Sequence, residues 1–192
     1  NQDITSEDLA RLEEQLGVNE PLPVKYGKWL GNVLHGDLGY SIYTHRPALE
    51  EIGDRLPNTL YLMGAAFIVT LLLALPLGLL AALKPYSIFD FITTTLAFAG
   101  QSIPIFWFGL LLIIIFHSTL TNPLTGGPLL PGAGMSTLGA PFSLQDRFGH
   151  LILPVTMLAL FHAGQYMRFV RASMLDVIHL DYIRTARAKG LP

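Results

Sequence analysis

Residues 58–83 carry no charged side chain, and neither do residues 91–145. About 20 consecutive apolar residues cross a bilayer core as a helix, so 58–83 predicts a first membrane span. Asn58, after Pro57, is a fitting N-cap, and Pro76 and Gly78 are expected to bend the helix. The stretch KPYSIFD, 84–90, is a polar break short enough for a hairpin turn. A second span is predicted over about 91–120, interrupted by GQSIP at 100–104. Residues 121–147 are crowded with Gly and Pro and read as a loop. A third span, about 150–167, is less apolar and holds Pro154, His162, Gly164 and Gln165. Beyond it, RFVRASMLDVIHLDYIRTARAKG has a helical pattern but too much charge to stay in lipid.

Ahead of the first span, 1–57 form a polar segment. TSEDLARLEEQLG predicts a short amphipathic helix, capped by Thr5 or Ser6, with Leu9, Leu12 and Leu16 at helical spacing and Gly17 at its end. KYGKWLGNVLHGDLGYSIYTHRP, 25–47, is rich in Gly and aromatics and reads as irregular. RPALEEIGDRLPNTL predicts a second helix, opened by Pro47 at its first position. Leu49, Ile52 and Leu56 share one face, and Glu50, Glu51 and Asp54 point away from it. Such a helix either lies along a membrane interface or packs on its own domain.

Composition supports the membrane reading. The chain has 192 residues, 51% hydrophobic and 14% charged, with mean hydropathy +0.46. An average soluble domain is about 25% charged. The fold class is therefore an all-α, polytopic transmembrane bundle with three predicted spans. Cysteine is absent, which excludes disulfides and thiolate metal sites. The chain begins at Asn1 without a signal pattern, and a fragment is expected.

Short Lys/Arg-rich loops stay in the cytoplasm. Lys84 marks the first hairpin, while Arg168, Arg171, Arg184, Arg187 and Lys189 mark the end. Residues 1–57 and about 121–149 are thus expected outside, 84–90 and 168–192 inside. An exported front needs an additional span upstream of Asn1.

Polar side chains at membrane depth line water-filled paths or join helices by hydrogen bonds. Gln101, Ser102, His162 and Gln165 are the pathway candidates on this basis. Arg168 and Arg171, where the third span leaves the bilayer, are expected to snorkel to the headgroups. No Asp or Glu falls within the predicted spans, which argues against an ion-coupled carrier or channel, the alternative reading. No phosphate-binding G-x-x-x-x-G-K-[ST] exists, so ATP hydrolysis would belong to another chain. The histidines lack metal-site spacing, and neither a metal nor a catalytic residue is expected.

Two stretches carry a family likeness. DYIRTARAKGLP, 181–192, resembles the cytoplasmic EAA loop of bacterial ABC importer permeases. Ala186 and Gly190 match the Glu-Ala-Ala-x-x-x-Gly pattern, Arg184 standing for the Glu and Thr185 for the first Ala. That Arg-Thr-Ala form is typical of the dipeptide/oligopeptide permease family. GDLGYSIYTHRPALEEIGDRLPNTLYL, 36–62, resembles the segment before the second span of the same family. The resemblance implies a type I importer permease fold, with one span missing before Asn1 and about two after Pro192. It implies the following partners: two ABC ATPase subunits that use ATP and Mg, a second homologous permease, an extracytoplasmic solute-binding protein, and the lipid bilayer. No cofactor of the chain's own and no nucleic acid are expected. It further implies that Arg184, Thr185, Ala186, Arg187, Ala188, Lys189 and Gly190 form a coupling helix seated on the ATPase, Ala186 and Gly190 allowing close contact. A plain basic flank on lipid headgroups is the other reading of those residues.

Overall fold

The structure is a computed structural model that describes residues 20–190. The helix predicted over 5–17 lies outside the described residues, as do the last two residues of the predicted coupling loop and the side chain of Arg187. The chain divides into two units, 1–57 and 58–192.

In the first unit, α1 spans Leu22–Leu34, which corrects the irregular reading of 25–34: Gly27 and Gly31 sit within the helix and each costs it only about 1 kcal/mol. Pro21 precedes it and Pro23 sits in its first turn, where a missing N–H costs nothing. A tight loop follows, in which Ser41 N donates to Arg46 O at 2.9 Å. Arg46 fans out to Glu50, Glu51 and Asp54 at 3.5, 3.2 and 3.1 Å. The hydrogen bond to Asp54 and the surrounding carboxylates hold its guanidinium pKa above the ordinary arginine value.

A 36-residue helix, α2, runs Ala48–Leu83. The sequence predicts two helices here, with Asn58 capping the second; the structure has one. Pro57 removes a single hydrogen bond, to the carbonyl four residues back. The flanks on both sides are helical in pattern, and propagation is cheaper than starting a new helix. From Ala66 onward α2 buries Ala66, Thr70, Ala74, Gly78 and Ala82. These recur every fourth residue and form one row of small side chains, which lets membrane helices approach closely. A Cβ on Gly78 would stand 2.7 Å from the backbone oxygen of Met167.

The second predicted span is bent. Helix α3 spans Ile88–Ser102 and α4 spans Ile105–Ile113, and their axes meet at 94°. Ile103 is extended and Pro104 precedes α4; a residue before proline avoids the helical region. A π-helical segment, Ile114–Thr119, continues α4, with Leu120 N donating to Ile115 O at 2.9 Å. The Gly/Pro-rich loop is pinned to it: Leu130 N donates to Phe116 O at 3.0 Å and His117 Nδ1 donates to Leu130 O at 3.0 Å.

Helix α5 spans Leu144–Ile178, longer than the predicted span because RFVRASMLDVI continues it. Helix α6 spans Asp181–Ala188. Among the described residues there is no strand, only the isolated bridges Tyr40–Pro47 and Thr121–Pro128. Two helices, α2 and α5, are long and apolar enough to cross a membrane, and α3–α4 makes a third crossing if the bent pair is one span. Ala74, Ala97 and Met167, with Leu77 against them, form the small core where α2, α3 and α5 meet.

Candidate functional site

Helix α6 starts two residues after α5 ends. Leu180 makes the joint: its carbonyl accepts from Ile183 N at 3.0 Å and Arg184 N at 3.2 Å. Thr185 Oγ1 donates to Asp181 O at 2.8 Å. The helix closes as Lys189 N donates to Thr185 O and Ala186 O, both at 3.1 Å. Gly190 follows at φ +81°, a conformation glycine adopts without strain and that commonly ends helices. Arg184, Thr185, Ala188, Lys189 and Gly190 are exposed, and Ala186 is half-buried. The only ion pair Arg184 makes among the described residues is a loose 3.5 Å contact with exposed Asp181. The result is an eight-residue helix with Arg184 exposed on it and Lys189 exposed just past its end.

The seam between α3 and α5 is the second feature. Ser87 caps α3, its hydroxyl accepting from Asp90 N at 3.2 Å. The Asp90 carboxylate is buried, at 4% exposure. It accepts from Arg171 Nε and Nη2, both at 2.6 Å, from Tyr86 N at 2.9 Å and from Thr94 Oγ1 at 3.3 Å. One turn earlier on α5, Arg168 Nη2 donates to Gln101 Oε1 at 2.6 Å, and its guanidinium lies 4.3 Å over the Phe98 ring. Between these contacts the helices nearly touch: a Cβ on Gly164 would stand 3.0 Å from the Cα of Ala97.

This corrects the expectation that Arg168 and Arg171 snorkel. Both donate instead to a polar partner on α3. Asp90, assigned by sequence to the hairpin, is a residue of α3. A signal for it existed: Ser87-Ile88-Phe89-Asp90 is an S-x-x-D helix start.

Of the predicted pathway residues, Gln101 meets Arg168. Ser102 is exposed and donates to Phe98 O at 3.0 Å. His162 is half-buried, edge-on to Phe161, and Gln165 is exposed. No contact joins the four into one cluster among the described residues. A cavity of about 330 Å³ opens beside the seam, lined by Thr93 and otherwise by apolar residues such as Leu77, Leu96, Phe108 and Met167, and none of the four lines it.

Residues 74–192, from the middle of α2 through α6, match the family described as binding-protein-dependent transport system inner membrane component. The chain belongs to that family. It is an integral inner-membrane transport component, consistent with its apolar helices. Among its relatives, the oligopeptide transport system permease protein AppB of Bacillus subtilis is 44% identical over 188 residues, covering 97% of this chain and 57% of the relative. The probable D,D-dipeptide transport system permease protein DdpB of Escherichia coli is 38% identical, covering 96% of this chain and 58% of the relative. The dipeptide transport system permease protein DppB of the same organism is 38% identical, with 98% and 60% covered. The chain thus spans about three-fifths of the length of these curated relatives.

Proposed function

We propose that this chain is part of the permease subunit of an ATP-driven importer, which carries peptides or a related small solute across the inner membrane. The observation that carries the reading is α6: a short, exposed, basic helix closed by a positive-φ glycine, set directly after an apolar crossing, within the family match. The relatives' names supply the solute class. In this reading residues 168–192 face the cytoplasm and α6 docks on an ATPase subunit, where ATP and Mg are used. Residues 1–57 and about 121–149 face outside, toward a solute-binding protein. A second homologous permease and a second ATPase complete the assembly. ATP closes the ATPase pair, α6 is displaced, and the crossings reorient.

Retention of ATPase subunits by the tagged full-length permease tests this. Gly190→Leu leaves the membrane crossings intact, because nothing lies within 4 Å of its added Cβ. It strains the turn and enlarges the knob. The expected result is a normal amount of permease with ATPase retention and peptide uptake reduced at least about tenfold, a change of about 1.4 kcal/mol. Normal uptake by that variant overturns the docking role, and a wild-type permease that retains no ATPase overturns the assignment.

A further inference from the structure

Arg168 and Arg171 are three residues apart on α5, about 4.5 Å along its axis. Their partners on α3, Gln101 and Asp90, are eleven residues and about 16 Å apart. With Gly164 set against Ala97, Arg171 faces Asp90 directly across the seam, whereas Arg168 reaches along it past Phe98 to Gln101, and the pair fastens α3 near both of its ends.

We propose that these contacts are a clasp that makes α3 and α5 one mechanical body, delivering any displacement of α6 to the bend at 103–104. The inference rests on α6 being the docked element. Arg171 lies seven residues, about two turns, before the end of α5, and α6 begins after a joint of two residues. Gln101 lies two residues before the bend. A force applied at α6 thus enters the clasp near one end of α3 and leaves it near the other.

The chemistry suits a joint that must not slip. A bidentate guanidinium–carboxylate pair fixes direction as well as distance. Parting it in a water-poor seam leaves two charges without compensation. Tyr86 N and Thr94 Oγ1 hold the Asp90 carboxylate from its own side of the seam. At Gly164 only the Ala97 methyl stands between the helices, too little to act as a sliding layer. By contrast, α3 and α4 are joined through Ile103 and Pro104, with Ile103 extended. Helix α4 itself touches α5 through the flexible Met157 thioether, whose sulfur would stand 2.5 Å from a Cβ on Gly109, a contact that can slide where the guanidinium–carboxylate fork cannot. The bend is therefore where a rigid α3–α5 body can turn. Asp90 and Arg171 are positioning residues in this scheme; neither needs to touch the solute.

The test uses the full-length permease with its ATPase subunits. These 192 residues contain no cysteine; with any cysteine elsewhere in the full-length permease replaced by serine, spin labels are placed at Phe91 on α3 and Phe169 on α5, both well exposed. A second labelled pair, Phe106 on α4 and Phe169, spans the bend. In the wild type, ATP with Mg should shift the 106–169 distance by about 2 Å or more, the scale of helix displacement in switching proteins, and leave the 91–169 distance unchanged. Asp90→Asn combined with Arg171→Gln removes both charges, so no lone buried charge is left to block folding. That variant should retain its ATPase, yet its 91–169 distance should now change or broaden with nucleotide. Arg171→Lys, which keeps the charge but loses the fork, should fall between. A mere stabilising role would alter the yield of assembled complex without altering the nucleotide response of 91–169. The proposal is overturned if the wild-type 91–169 distance changes with nucleotide, or if the neutral double variant stays as rigid as the wild type. A wild-type permease that binds no ATPase refutes the docking of α6 itself, a separate and prior failure that removes the force the clasp would carry.

Discussion

Helices α3 and α5 open with the same four-residue signal and end up with different anchors. Ser87-Ile88-Phe89-Asp90 begins one, Ser143-Leu144-Gln145-Asp146 the other. In each, the serine hydroxyl accepts from the aspartate backbone N–H, at 3.2 Å and 3.4 Å. The carboxylates then part company. Asp90 binds Arg171, 81 residues further along the chain. Asp146 accepts from Thr137 N and Oγ1 at 2.8 and 2.6 Å, nine residues back in the Gly/Pro-rich loop. One carboxylate joins two helices and the other ties down a loop. The local signal specifies a helix start; what the spare carboxylate holds depends on what the fold brings to it.

If that contrast is right, removing the two carboxylates should not cost the same. Asp90→Ala strands Arg171 and should destabilise the protein by about 3 kcal/mol, the lower end for a broken buried pair, since the Arg171 side chain keeps 24% exposure. Thermal unfolding in detergent measures it, and a loss no larger than that of a capping variant would erase the distinction. Gly164→Val probes the same seam without charge. Its Cβ would press on Ala97, and overpacking of this kind costs about 1–3 kcal/mol. Ser87→Ala and Ser143→Ala should each cost about 1 kcal/mol and should match, because the caps are alike; a clear inequality would mean that the cap itself differs. Asp146→Asn should be mildest. It should leave the unfolding midpoint in place: the new amide oxygen can still accept the Thr137 N–H while its NH2 donates to Thr137 Oγ1, so amide exchange at Thr137 should change little, whereas Asp146→Ala, which removes the acceptor, should speed it.

Much of the architecture could be read from the chain. The three apolar stretches follow from the bilayer's demand for unbroken hydrophobic length, and the break near 103–104 from the rule that a residue before proline leaves the helical region. The positive φ at Gly190 was likewise expected from a glycine at a helix end. Three local expectations gave way. Residues 25–34 are helical rather than irregular. Asn58 did not open a new helix after Pro57, because the helical flanks on both sides outweigh a proline's cost of about 3 kcal/mol. Arg168 and Arg171 did not turn to the headgroups, because Gln101 and Asp90 were within reach.

Those two arginines mark the boundary between what composition and periodicity decide and what three-dimensional packing decides. Hydropathy, capping residues and turn chemistry act over a few neighbours or one bilayer thickness, so they can be read directly along the chain. They set which segments are helical, which are apolar enough to cross, and where the basic knob of α6 stands. The partner of a buried charge is chosen by distances between helices, here across 67 and 81 residues of intervening chain. No local rule encodes such a distance; it emerges only when the row of small residues on α2 and the bare backbone at Gly164 allow the helices to close.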